Sequence, residues 1–245
     1  MMRIDKFLSQ TGVATRSQAR KLIKQGKVMV DGKPVKTPKL KIDESQTAVE
    51  LEGKQIVFQR YFYYLLNKPQ GVITATRDKS QRTVLDLLKA EDRREDIFPV
   101  GRLDKDTTGL LLLTNNGDLA HEMLSPRHHV EKTYRALISG LADAKTQAAF
   151  KKGLVLRDGL HTQPAKLEIE RTDQQKEESL VKTTITEGKY HQIKRMFAAC
   201  GMHVVKLERI AMGSLVLDDK KLPAGRYREL TEKEIEGLKK YGPVE

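Results

Sequence analysis

The chain has 245 residues, 38% hydrophobic and 32% charged, with a net charge of +12 and a pI near 9.6. That length holds one large domain or two smaller ones, and so basic a globular protein points to a polyanionic partner, nucleic acid first. No apolar run reaches the roughly 20 residues that span a bilayer. The start Met1-Met2-Arg3-Ile4-Asp5 lacks the apolar stretch of a signal peptide, and Cys200 is the only cysteine, which excludes an intrachain disulfide and a cysteine-based zinc site. A cytoplasmic protein with no membrane partner is expected.

Residues 1–40 hold ten Lys/Arg against Asp5 and Asp31, a balance of +8 within the total of +12. A basic module should therefore precede a nearly neutral body. In residues 3–11, Ile4, Phe7 and Leu8 share a helical face, and Gly12 closes the helix. Thr15 is placed to cap a second helix carrying Ala19, Leu22 and Ile23, which Gly26 stops. Arg16, Arg20, Lys24 and Lys27 recur every three or four residues and are expected on one face of it, as phosphate contacts rather than a merely solvated surface. Val28 and Val30 alternate as a strand, Asp31-Gly32 is a hairpin turn, and Val35 begins the return. Residues 43–60 are polar apart from Val49-Glu50-Leu51, so a domain boundary is expected near residue 60.

Beyond it, strands are expected from Tyr61 to Leu66, ending at Asn67-Lys68-Pro69, and over Val72-Ile73-Thr74-Ala75. Thr83 is placed to cap a short helix with Val84, Leu85, Leu87 and Leu88. Leu110 to Thr114 is an apolar strand bounded by Gly109 and a turn at Asn115-Asn116-Gly117. Further strands are expected over Thr133–Ser139 and Leu180–Thr186, with helices over 142–152, stopped by Gly153, and from His191 to Cys200, closed by Gly201. Thr231 and Glu234 form a capping box for a last helix. Strands outnumber crossover helices, so the fold class is α+β, on a mixed and mainly antiparallel sheet.

Three stretches are odd for pure scaffolding. Gly101-Arg102-Leu103-Asp104-Lys105-Asp106-Thr107-Thr108-Gly109 places two acids, two bases and hydroxyls before an apolar strand. Such a loop can present a carboxylate at fixed geometry, although Asp104 and Asp106 also suit plain turns. Lys132-Thr133-Tyr134-Arg135 sets a tyrosine between bases, either to stack on a nucleobase or exchange a proton, or simply as a core aromatic. Glu187-Gly188-Lys189-Tyr190-His191-Gln192-Ile193-Lys194-Arg195-Met196 crowds bases at a helix start, which the helix dipole disfavours unless an anion is bound there. The histidines have no ligand spacing, and no nucleotide-binding glycine loop or Gly-x-Ser-x-Gly elbow is present. Neither a metal nor a cofactor is expected.

Taken in order, these stretches resemble a known family. Gly101-Arg102-Leu103-Asp104 with Thr107 and Gly109-Leu-Leu-Leu-Leu-Thr-Asn closely resembles the catalytic-loop motif of rRNA pseudouridine synthases. Asn67-Lys68-Pro69-x-Gly71 resembles the first motif of that family, and Lys132-Thr133-Tyr134 and Glu187-Gly188-x-Tyr190-His191-Gln192-Ile193-Lys194-Arg195-Met196 resemble its later ones. The N-terminal module resembles the S4-type RNA-binding domain that such enzymes often carry. Ser125-Pro126-Arg127-His128-His129 with Glu131-Lys132-Thr133-Tyr134 looks most like the branch that modifies small-subunit rRNA, the small-subunit pseudouridine synthase A type.

The resemblance implies an S4-type RNA-binding domain over residues 1–60 and a pseudouridine synthase catalytic domain over 61–245. It implies that Asp104 is the nucleophile or base, that Tyr134 stacks on the target base and moves a proton, and that Lys194 is the basic partner of Asp104, with Arg195 the neighbouring candidate. Arg102 would occupy the gap left by the flipped base, and Ile193 would pack on that base. The chemistry suits these residue types. A uridine must leave its stack before its glycosidic bond is reached, and a cation at Lys194 favours an ionised carboxylate. The implied reaction isomerises a specific uridine of 16S rRNA in an assembling small subunit, with the protein as a monomer. The alternatives are the same reaction on 23S rRNA and a non-catalytic RNA-binding assembly protein.

Overall fold

The computed structural model describes residues 1–44 and 46–244. Ser45, within the polar stretch 43–60, and Glu245 lie outside the described residues. The chain divides into two compact units, Met1–Arg60 and Tyr61–Glu245.

In the first unit, β1 (Met2–Arg3) leads into α1 (Ile4–Gln10), which buries Ile4, Phe7 and Leu8. Thr15 caps α2 (Arg16–Lys24) reciprocally: its hydroxyl accepts from the Gln18 amide, and the Gln18 side chain accepts from the Thr15 N–H. β2 (Val28–Val30) turns through Asp31 and Gly32, at φ 48° and 73°, into β3 (Lys33–Pro34). Two successive positive φ values are what a two-residue hairpin of this twist requires. β4 (Lys41–Ile42) pairs with β1, and β5 (Val49–Leu51) joins β2 to β6 (Lys54–Ile56) in a sheet of order β3-β2-β5-β6. Phe7 stacks on Phe58 at 5.5 Å within this unit's core.

The basic face of α2 is smaller than its spacing predicts. The helix ends at Lys24, and Gly26 at φ 69° redirects the chain, so Lys27 leaves the face and pairs with Glu52 at 2.6 Å. Arg20 lies 3.5 Å from the buried Asp5, which Arg3 also holds. Arg16 and Lys24 stay exposed, with no acidic partner among the described residues.

The second unit is built on β7 (Tyr63–Lys68), β8 (Phe98–Pro99), β9 (Thr108–Thr114), α3 (Gly117–Leu124), β10 (Lys132–Ser139), α4 (Ala144–Lys152), β11 (Lys166–Asp173), β12 (Glu178–Ile185), α5 (Gln192–Ala199), β13 (His203–Met212), β14 (Leu215–Val216), β15 (Tyr227–Glu229) and α6 (Glu232–Leu238). The sheet order is β11-β12-β10-β13-β9-β7-β15, with β14 on β13 and β8 on β9. β13 and β9 run parallel, and the other pairings are antiparallel. The centre is apolar on both faces. Tyr64, Leu66, Leu111 and Leu113 pack with Met196 and Phe197 of α5 on one side, while Tyr63, Leu65, Leu110 and Leu112 pack with α3 and α6 on the other. A strand buried on both faces reads as a continuous apolar run, as β9 does. No helix among the described residues is long and apolar enough to cross a membrane.

Several elements depart from the sequence expectation, among them β11, an eight-residue strand it did not give. Val72–Ala75 forms no strand: Ile73 makes one isolated bridge to Thr83, and the buried Thr74 spends its hydroxyl on Leu103. Asn116-Gly117 is a helix start rather than a turn, because the Asn116 side chain accepts from the Leu119 amide and caps α3. The longest strand, β13, went unread. Its pairing with β10 shifts register twice, which breaks the alternation of buried and exposed residues.

Gly109 fixes where the loop before β9 ends. It lies opposite Arg209 in the parallel pair, at φ 99°, and a Cβ there would sit 2.3 Å from the Arg209 carbonyl oxygen. Gly109→Ala should lower unfolding free energy by roughly 3 kcal/mol or more, whereas Gly32→Ala, with open space around it, should cost about 1–2 kcal/mol. Urea denaturation of the two variants checks the contrast; equal losses would remove the steric explanation.

Candidate active site

The site begins with a buried lysine. Lys68 ends β7 at 0% exposure, and its ammonium donates to the carbonyls of Thr107 at 2.8 Å, Asp104 at 2.9 Å and Pro69 at 3.2 Å. The Thr107 amide in turn bonds the Asp104 carbonyl at 3.1 Å, so residues 104–107 form a turn folded over the ammonium. On the preceding side, the Thr74 hydroxyl both accepts from the Leu103 amide (3.1 Å) and donates to its carbonyl (2.8 Å). On the far side, the Gly71 amide bonds the Lys105 carbonyl at 2.9 Å. Residues 103–107 thus hang from three fixed points, and Asp104 projects from them.

α5 supplies the facing groups. Its first turn follows His191, in the left-handed region at φ 48°. The turn is braced by Gln192, whose side chain accepts from the Lys189 amide (2.9 Å) and donates to Glu187 (2.6 Å). Lys194 Nζ then lies 3.2 Å from Asp104 Oδ2 and 2.7 Å from Asp106 Oδ1, and His191 Nε2 lies 3.4 Å from Asp104 Oδ1. Burial works against the charge on Lys194, but its bonds to Asp106 and Asp104 outweigh this and raise its pKa. The Lys194 hydrogen bond holds Asp106 below the usual carboxylate range. Burial lowers the Lys68 ammonium to about 8 despite the nearby Asp106 and Asp104.

The crowding of bases at the start of α5 is therefore answered from within the unit. Asp104 and Asp106 face Lys194, and Asp158 faces Arg195. Carboxylates beside a helix N-terminus also suit its dipole.

Asp104, Tyr134, Ile193, Lys194 and Arg102 line one open cleft, with Thr107, Ile185 and Leu207 among its walls. Tyr134 and Ile193 are largely buried and form an apolar side to it, while Arg102 is exposed. Arg195 is not part of this lining: it pairs with Asp158 and donates to the Tyr190 carbonyl at 3.3 Å. Arg16, Arg20, Lys24 and Lys27 belong to the first unit.

Lys68, Thr74, Asp106 and His191 were not singled out from sequence as site residues. Lys68 did carry a signal, since a lysine closing a strand buried on both faces needs partners for its charge. Thr74 carried none, because a threonine in an apolar stretch reads as strand. Among the described residues, no three His, Cys, Asp or Glu side chains gather as metal ligands.

With this geometry in view, comparison with known proteins defines the class. Residues 62–199 match the RNA pseudouridylate synthase family, and residues 2–47 match the S4 domain. The chain belongs to the RNA pseudouridylate synthase family, with an S4 domain ahead of an α+β synthase domain. It is 44% identical to an uncharacterized RNA pseudouridine synthase of Bacillus subtilis, over 96% of this chain and 97% of the relative. It is 41% identical to ribosomal small subunit pseudouridine synthase A of Vibrio cholerae (97% and 99% covered) and 39% identical to ribosomal large subunit pseudouridine synthase B of Bacillus subtilis (98% and 96%). A crystal structure of a pseudouridylate synthase superposes with a TM-score of 0.66 at 39% identity, covering 97% of this chain and all of the other. The protein is accordingly a pseudouridine synthase, an isomerase.

Lys68→Met keeps the length of the side chain but not its donors, and should slow pseudouridine formation about a hundredfold by loosening residues 104–107. It should also change the pH response. Lys68 loses its proton near 8 when folded but near 10.5 when unfolded, so the unfolded chain binds more protons in that window, and stability gained from this group rises with pH across it. Urea midpoints measured from pH 8 to 10.5 should rise less steeply in Lys68→Met, and only in part, because Lys132 is lowered to about 8 by burial as well. A wild-type rate in this variant would remove Lys68 from the positioning of Asp104.

Proposed function

We propose that the protein converts a specific uridine of 16S ribosomal RNA to pseudouridine during assembly of the small subunit, in the cytoplasm and as a monomer. Residues 61–245 form the catalytic domain, and residues 1–60 bind RNA through Arg16 and Lys24, with Arg20 and Lys27 adding charge. The observation that carries this reading is the Asp104 carboxylate, faced by Lys194 at 3.2 Å and by His191 at 3.4 Å, beside an apolar wall of Tyr134 and Ile193.

The proposed course follows from those groups. The target uridine leaves its stack and enters the cleft, where Tyr134 and Ile193 cover its faces and Arg102 fills the vacated space. Asp104 acts as nucleophile or base, with Lys194 countering its charge. The N1–C1′ bond breaks, the uracil turns, C5 bonds to C1′, and the proton on C5 is given up as N1 gains one. Tyr134, which lines the same cleft, is the group assigned to move a proton at this stage.

The small-subunit target is supported by the Ser125–His129 sequence pattern and by the small-subunit relatives. The similar identity of the large-subunit relative favours one second reading, the same reaction on 23S rRNA.

Mapping pseudouridines in both rRNAs from cells lacking this gene should reveal one missing site in 16S rRNA. Wild type should restore it and Asp104→Asn should not, although the variant still binds RNA. A missing site in 23S rRNA would move the target to the large subunit, and full activity of Asp104→Asn would overturn the nucleophile. Separately, Arg16→Gln with Lys24→Gln should weaken RNA binding and reduce the slope of log affinity against log salt by about 1.4–1.8. An unchanged slope would sink the phosphate contacts assigned to α2.

A further inference from the structure

Tyr190 is 76% exposed, in a chain that holds 7 Tyr, 6 Phe and no Trp. It is not adrift on the surface. Its ring stacks on the His191 ring at 3.8 Å between centroids and 18° between planes, and its carbonyl is gripped by Arg195 at 3.3 Å. His191 is itself fixed, by its left-handed backbone at the start of α5 and by its approach to Asp104 at 3.4 Å. One face of the Tyr190 ring is thus supported and the other is open. The pair borders a groove that runs on from the cleft past Arg102 and Lys105. Neither base has an acidic partner among the described residues, and Lys105 is held only by Gln81, at 2.9 Å. An open aromatic face with uncancelled cations along the same groove matches the alternation of base and phosphate in single-stranded nucleic acid.

We propose that Tyr190, backed by His191, is a second base-binding subsite that stacks an unpaired nucleobase next to the extruded uridine, while Lys105 takes the phosphate between them. The ligand class is single-stranded RNA, and the proposal rests on the reading of the adjoining cleft as the site of uridine isomerisation. Stacking of this kind is tolerant of base identity, so the subsite contributes affinity and holds the strand in register more than it reads sequence.

Because the chain has no tryptophan, Tyr190→Trp installs a single tryptophan, excitable apart from the remaining tyrosines, on the shelf. Its emission should be quenched by a single-stranded RNA nonamer and little affected by an abasic ribose-phosphate oligomer of the same length. Val216→Trp, at a position 64% exposed on β14, should respond to neither. Tyr190→Ala should bind the nonamer about tenfold more weakly, and Tyr190→Phe should bind it like wild type. No quenching by RNA, equal quenching by the abasic oligomer, or wild-type affinity of Tyr190→Ala would each overturn the subsite. Pseudouridine formation in the Asp104→Asn variant tests the adjoining cleft separately, and the fluorescence does not depend on it.

Discussion

The ammonium of Lys68, sealed under the loop that carries Asp104, is the contact on which the rest of the catalytic unit depends. A buried charge is tolerated only where its hydrogen-bonding capacity is used, and here the capacity is spent on the carbonyls of Thr107, Asp104 and Pro69. A loop tip such as residues 103–107 would otherwise be the most mobile part of its neighbourhood. Folding it around a fixed cation turns it into a rigid mount. The mount stands on β7, which is buried on both faces and so cannot shift without opening both apolar cores.

Opposite the mount, α5 brings Lys194 and His191 to the carboxylate by a short, heavily braced turn. Gln192, Glu187 and the left-handed His191 define how the helix starts, and the helix start defines where Lys194 reaches. Lys194 bridges Asp104 and Asp106, so the pair of acids and the single ammonium act as one charge cluster rather than as an isolated ion pair. This arrangement leaves the apolar wall of Tyr134 and Ile193 open to the cleft, with the exposed Tyr190 on the adjoining groove.

The first unit shows how local ion pairs trim a basic surface. Of four exposed bases at helical spacing, two are left without an acidic partner among the described residues, because Asp5 engages Arg20 and Glu52 engages Lys27. Net charge over a segment therefore overstates the cations left to meet a phosphate.

Much was legible in the sequence for plain physical reasons. Caps, turns and apolar periodicity are local, and Thr15, Asp31-Gly32, Thr231 and the leucines of β9 announce themselves within a few residues. The ordered motifs likewise singled out Asp104, Tyr134, Ile193 and Lys194 as candidates, and these four line one cleft. What stayed illegible was set by partners distant in the chain. β13 has no regular alternation because its bulges answer β10, and Thr74 abandons a strand for Leu103, 29 residues away. Lys68 and His191 acquire their roles only when β7 and the start of α5 meet the same loop. Local chemistry determined the caps, turns and apolar runs of this protein, and only the tertiary structure decided how the bulged strand pairs and which group each charge answers, because strand, electrostatic and hydrogen-bond partners are chosen by distance in space.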